Sequence, residues 1–337
     1  MTLTPCTLLS DDRGDFVGSY ITGIRGTGTQ SDPYLVTSLD DLFAVSMDAD
    51  NLPANYLRLT TDINYDATRG TSNYHPNFDY DNQRRLFYFD MYGHRIYNIT
   101  LDDEHRWLFS SEYCRLYIQN GQLANIRCTA TGAAESSWAL IGHRGYYAQD
   151  NHLEFDNMSI QCDASITDYN LFYGCMFNRC SLNIRRRQPM VKPLIITASA
   201  RPKNHVANVF YQCDFKFDIA DTRGYPVIDA VSLGWATQDL IMTNCRFSGN
   251  INSTVSKTGA TDAVLAHMLS SDRCVYNIDV RYDRVENLYY SNFADHTVEN
   301  LANYDLTRSC VGSNLTKVNS TTITNYNMLN NVWAYLR

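Results

Sequence analysis

A chain of 337 residues, 44% hydrophobic and 19% charged, can bury a substantial core in one to three domains. Its net charge of −8, from 28 basic and 36 acidic residues, excludes a global polyanion binder that grips DNA or RNA through a basic surface. The 24 Tyr and 14 Phe against 4 Trp are more than a helical protein needs and suit half-buried pleated strands, and with no long amphipathic heptads the class reads as mainly β.

Residues 1–25 have no clear period and read as an N-terminal arm or anchor. They carry neither a basic n-region nor a continuous apolar h-region, so no secretory signal is expected, and no run approaches the roughly 18–20 apolar residues of a membrane span. The ten cysteines, at positions 6, 114, 128, 162, 175, 180, 213, 245, 274 and 310, include no CxxC pair. Most lie in apolar strand patterns, so they read as buried free thiols of a chain folded in a reducing cytoplasm.

The first sharp signal spans residues 26–66. Gly26 and Gly28 permit positive φ, Asp32-Pro33 fixes a turn, and Tyr34-Leu35-Val36 forms a short strand. Ser38 is a good N-cap with Asp41 at N3, and Leu39, Leu42, Phe43 and Val45 give a short helix one apolar stripe. The strand Tyr56-Leu57-Arg58-Leu59 then leads into Thr61-Asp62-Ile63. This run resembles the opening module of right-handed parallel β-helix proteins, which include pectin-lyase-like surface proteins and bacteriophage tail spikes and other virion proteins. The first coil of a solenoid exposes apolar side chains and strand edges, and a short amphipathic helix can cover them.

Downstream, Leu171–Phe177, Val209–Phe215 and Ile241–Phe247 align without gaps on Cys175-x-Phe177, Cys213-x-Phe215 and Cys245-x-Phe247. They continue to Asn183-Ile184, Asp218-Ile219 and Asn250-Ile251, and Leu288–Phe293 is a fourth copy with Ser in place of Cys. This fits one coil per roughly 20–40 residues. Residues two apart share a strand face, so the Cys and Phe of these motifs should stack along the axis. The competing β-sandwich would carry hairpin turns, and only Asn120-Gly121 offers one.

The expected class is therefore all-β, a right-handed single-stranded parallel β-helix with an N-terminal capping helix. Residues 1–25 form the arm, 26–66 the capping module and first coil, 67–309 the β-helix, and 310–337 a C-terminal coil or cap.

For chemistry, the carboxylates Asp40-Asp41 and Asp102-Asp103-Glu104 read as helix and turn residues, and Gly142-His143-Arg144-Gly145 only partly echoes the histidine motif of polygalacturonases. Asp156, Asp163, Asp229 and Asp262 show no spacing that makes them converge on calcium. No catalytic residue, metal site or cofactor is assigned. The binding candidates are Tyr146, Tyr147, Tyr289, Tyr290 and the aromatic run Tyr74–Tyr80 as sugar platforms, with Arg185, Arg186 and Arg187 as an anionic contact.

The resemblance implies a bacteriophage virion protein, a head decoration, head fibre or tail spike assembled in the host cytoplasm. By the same resemblance it would be a homotrimer, joined to other virion proteins through its arm and attached to host-surface polysaccharide. Nucleic acid and membrane insertion are not expected. The alternatives are a polysaccharide lyase or glycoside hydrolase acting as a depolymerase, and a bacterial surface adhesin.

Overall fold

The computed structural model describes residues 24–47, 52, 54–68, 86–103, 108–111, 115–130, 139–143, 153–164, 169–196, 208–223, 225, 227–229, 240–253, 263–267, 270–272, 275–282, 287–290, 310–311 and 315–317. The arm up to residue 23, the run Tyr74–Tyr80 and most of the C-terminal segment lie outside them. The chain is mainly β, and every strand pairing among the described residues is parallel. A 17-stranded sheet and a 7-stranded sheet result.

The strands pair as three ladders that the chain visits in rotation. The first ladder runs from Tyr34–Val36 through Tyr56–Leu59, Leu86–Asp90, the opening halves of Arg115–Cys128 and Leu153–Asp163, then Cys175–Asn178, Asn208–Tyr211, Leu240–Thr243 and Ser270–Asp272. The second runs from Ile63–Asn64 through Arg95–Leu101, the closing halves of the same two long strands, Ser181–Arg186, Asp214–Ile219, Arg246–Ser253 and Val275–Tyr282 to Leu315–Lys317. The third comprises Leu108–Ser111, Ala139–His143, Asn170–Tyr173, Ile195–Ile196, Ile228–Asp229, Ala263–His267 and Asn287–Tyr290.

Alternation decides which residues build the core. In Asp214–Ile219, Phe215, Phe217 and Ile219 are buried while Asp214, Lys216 and Asp218 are exposed. In-register stacking then lays like on like. Phe155 stacks on Phe177 with centroids 5.4 Å apart, and Phe215 on Phe247 at 5.0 Å and 3°. Phe210 bridges the two pairs, 5.3 Å from Phe177 and 5.2 Å from Phe215.

The N-terminal module matches its sequence. Tyr34–Val36 has one ladder neighbour, Tyr56–Leu59, among the described residues. Next along the chain, the helix Leu39–Met47 buries Leu39, Leu42 and Val45 in the common core. Ser38 Oγ accepts from the Asp41 N–H at 3.1 Å, and the Asp41 carboxylate accepts from the Thr37 N–H at 2.7 Å, a reciprocal N-terminal cap. Gly26 and Gly28 both adopt positive φ, at 100° and 76°.

The cysteine repeat requires a correction. The register sets Leu182, not Phe177, opposite Phe215 in the ladder, so Cys180 is the register equivalent of Cys213 and Cys245. Phe177 lies in the first ladder, beside Phe155 and Phe210. Ile184 likewise meets Phe217 rather than Ile219.

The Cys-x-Phe motifs fall at two different corners of the same local form. In Tyr173-Gly174-Cys175, Asn178-Arg179-Cys180, Tyr211-Gln212-Cys213 and Thr243-Asn244-Cys245, a strand end precedes a residue with φ of 53–66°, then a buried thiol. Each thiol lies within reach of the carbonyl two residues back, at 3.5, 3.1, 3.3 and 3.4 Å respectively, and shares its one proton between that carbonyl and a second one from a neighbouring strand. A small weak donor fits that tight space. The first corner joins the third ladder to the first, and the other three join the first to the second.

Asn120-Gly121 is also a corner. It lies within Arg115–Cys128, with Asn120 at φ 59°, and is not a hairpin. Asn157 Nδ2 donates to Asn120 Oδ1 at 3.0 Å, and Asn120 Nδ2 donates to Asp90 Oδ1 at 3.1 Å. Asparagine tolerates this left-handed conformation, and stacked amides satisfy one another up the column.

Candidate functional site

The outward positions of the first ladder repeat a triplet in register. Tyr56-Leu57-Arg58, Tyr88-Phe89-Asp90 and Tyr117-Ile118-Gln119 are followed by Glu154-Phe155-Asp156 and Met176-Phe177-Asn178. The middle residue of each is buried. Its neighbours must then face outward, and they form two parallel rows.

The rings of Tyr56 and Tyr88 stack at 4.6 Å and 7°, while Tyr117 turns 62° against Tyr88 at 5.9 Å. Stacked rings cover each other's faces and offer their edges and hydroxyls. A groove of about 360 Å³ runs along them, bordered by Gln30, Pro33, Arg58, Asp90 and Gln119. The Arg58 guanidinium lies 4.8 Å over the ring of Tyr92, a side chain that is 64% exposed, and its Nε is 4.0 Å from Asp90.

Asp156 is the one residue of these rows that is fully buried. Tyr117 Oη donates to its Oδ2 at 2.5 Å. Arg179 donates through Nε to Oδ1 at 2.8 Å and through Nη2 to Oδ2 at 2.5 Å, a bidentate fork. Burial alone would raise the Asp156 pKa. The bonds from Arg179 and Tyr117, the Arg179 charge and the Asn157 N–H outweigh it and hold the carboxyl below its usual range. Burial and the Asp156 carboxylate push the Tyr117 phenol well above its ordinary value, so it stays a donor. Asp156 is therefore an ionised acceptor at neutral pH and holds no proton to give as a general acid.

Around the corner lies a groove of about 530 Å³, lined by Gly93, Asn120, Gly121, Gln122, Asn157, Met158, Ser159, Arg179, Cys180, Ser181, Gln212 and Asp214. Its chemistry is amide, hydroxyl and one ion of each sign. The thiol of Cys180 is buried beneath it, 3.2 Å from Phe155 O.

The residues singled out from sequence do not converge on this place. Tyr146 and Tyr147 lie outside the described residues. Tyr289 and Tyr290 belong to the third ladder, where their backbones pair with Ala266 and His267. Arg185 and Arg186 close a second-ladder strand, and Arg187 follows it. Arg186 requires a correction, since it is buried and donates to the carbonyls of Gln188, Ala164 and Pro189 at 2.8, 2.8 and 2.7 Å. It pins a turn and cannot reach a ligand. Arg185 sits 3.6 Å from Asp218, and Arg187 is exposed. Among the described residues, no group of three or more His, Cys, Asp or Glu is placed to hold a metal ion.

Tyr56, Tyr88, Tyr117 and Arg179 were missed as a site. The signal for the tyrosines was present, a Tyr-apolar-polar triplet recurring at 56–58, 88–90 and 117–119. No family model matches the chain, and no curated protein or solved structure matches it either.

Proposed function

We propose that this protein is a right-handed parallel β-helix serving as a structural attachment component of a bacteriophage particle, as a head decoration, head fibre or tail spike. Three parallel ladders visited in rotation, with a capped helix after the first strand, support the architecture. Right-handed crossing is the overwhelming rule for parallel strands of one sheet. The Gly26–Asp66 module supports the virion assignment through the proteins it resembles.

The observation that carries the attachment role is the outward Tyr56–Tyr88–Tyr117 row with the buried Asp156, paired to the half-exposed Arg179, at its end. Cross-strand tyrosine stacking supports the ladder itself, and half-buried tyrosines on the outer face also leave ring edges and hydroxyls for a ligand. By resemblance the particle carries it as a homotrimer anchored through residues 1–25.

Purified particles should contain the protein, and a chain lacking residues 1–25 should keep its β-rich circular dichroism spectrum yet fail to enter them. Undiminished incorporation of the shortened chain rejects the anchor, and absence from particles rejects the virion role.

A further inference from the structure

We propose that the tyrosine groove and the corner groove together form one track for a neutral oligosaccharide, with the fixed Asp156–Arg179 pair between them. This rests on the attachment role and specifies its ligand. Two contacts set the grooves side by side. Tyr117 lines the first groove and Arg179 the second, and both bond the same carboxylate. Asp90 lines the first and accepts from Asn120 of the second.

The concavity has a sequence cause. The position that opens each second-ladder strand is Gln122, Ser159, Ser181 and Asp214 in successive coils, preceded by Gly121 in the first of them. Two adjacent serines leave a trough, and Arg179 and Gln212 at the corner raise its wall. The two volumes, about 530 and 360 Å³, are of ligand-site size.

The groups present match sugar hydroxyls. Planar amides, a carboxylate and a guanidinium each meet neighbouring hydroxyls with paired donors or acceptors, and the tyrosine edges combine apolar area with a hydroxyl. Arg179 spends Nε and Nη2 on Asp156, and its side chain remains 54% exposed. Its outer nitrogen can therefore serve the corner groove while the fork keeps the guanidinium fixed.

Charge decides the class of sugar. Arg179 is matched by Asp156 and Arg58 lies beside Asp90, while Asp214 adds a further negative charge to the corner. The track has no surplus positive charge to reward a uronate or sialate chain, and the molecule as a whole carries −8.

The test is retention of the full chain on an array of immobilised neutral glycans, polyuronates and sialylated glycans. Ser181→Trp fills the trough from an exposed position, so folding is spared, and a thermal melt confirms it. The wild type should bind neutral glycans, and Ser181→Trp should weaken that binding at least tenfold with an unchanged melt. Tyr88→Ala should weaken it from the other groove. The proposal falls if no neutral glycan is retained, if only acidic glycans are, or if Ser181→Trp binds as well as wild type. It also falls if Ser181→Trp changes the molar mass in solution and leaves glycan retention intact, which assigns the groove to a subunit contact. Particle incorporation depends on the arm and is scored separately, so the track and the virion role can fail independently.

Discussion

Truncation of Phe215 to Ala tests the packing on which the whole molecule depends. The ring is buried and meets four others, Phe247 at 5.0 Å, Phe210 at 5.2 Å, Phe217 at 6.0 Å and Phe177 at 6.2 Å. Losing its transfer energy costs about 1.5–3 kcal/mol. The neighbours are fixed by ladders above and below and cannot collapse into the space, so a cavity term brings the total to about 3–5 kcal/mol. That is a large share of a typical stability of about 5–15 kcal/mol. Guanidinium unfolding followed by circular dichroism should show the midpoint falling by about 1 M. Phe215→Leu, which keeps most of the volume, should lose less than about 1.5 kcal/mol. The stacked pair should also couple, with the double variant Phe215→Ala, Phe247→Ala less destabilised than the sum of the singles by about 0.5–1.5 kcal/mol. A loss below about 1 kcal/mol for Phe215→Ala, or strict additivity with Phe247→Ala, would refute a rigid aromatic column.

Asp156→Asn should destabilise by about 1–2 kcal/mol at neutral pH, discounted because Arg179 is half exposed. The folded pKa of Asp156 is lowered, so its contribution is present above the ordinary carboxyl range and is lost as pH falls through the folded value. Melting temperature against pH should thus decline less steeply on the acid limb in Asp156→Asn, and parallel curves would count against the pair. Arg186→Ala should cost about 2–4 kcal/mol by orphaning three carbonyls, while Arg185→Ala should change stability by less than about 0.5 kcal/mol. Equal losses in chemical denaturation would contradict that assignment. Cys128, Cys162, Cys175, Cys180, Cys213 and Cys245 are free and buried, and burial pushes the Cys175 and Cys213 thiols upward, so a thiol reagent should label these six only after denaturation. Rapid labelling of the native chain, or a melt shifted by reductant, would overturn the buried-thiol assignment.

Local chemistry was legible in the sequence wherever one segment decides its own geometry. The Ser38–Asp41 cap, the positive φ at Gly26 and Gly28 and the alternation of Asp214–Ile219 depend on neighbours a few residues away, and all three are as the residues dictate. The Cys-x-Phe motif was legible only in part. A tight corner before a thiol looks alike wherever it falls, so Tyr173-Gly174-Cys175 and Tyr211-Gln212-Cys213 read as one repeat though they turn between different ladders. Register is a property of two strands, and one-dimensional spacing does not contain it when the intervening loops vary in length.

The same reason hid the candidate site. Residues 117, 156 and 179 are far apart in sequence and meet because in-register pairing sets Tyr117 beside Glu154 and Asp156 beside Asn178, one residue before the Arg179 corner. Arg186 shows the converse. A run of three arginines reads as an exposed basic patch, but strand alternation turns the middle one inward, where only the folded turn supplies the carbonyls that compensate its burial. By itself the sequence determined a mainly β chain, its N-terminal cap and its buried thiols. Tertiary pairing decided which strand lies beside which, and so which charges pair and where a groove can open, because those contacts join residues that only the ladders bring together.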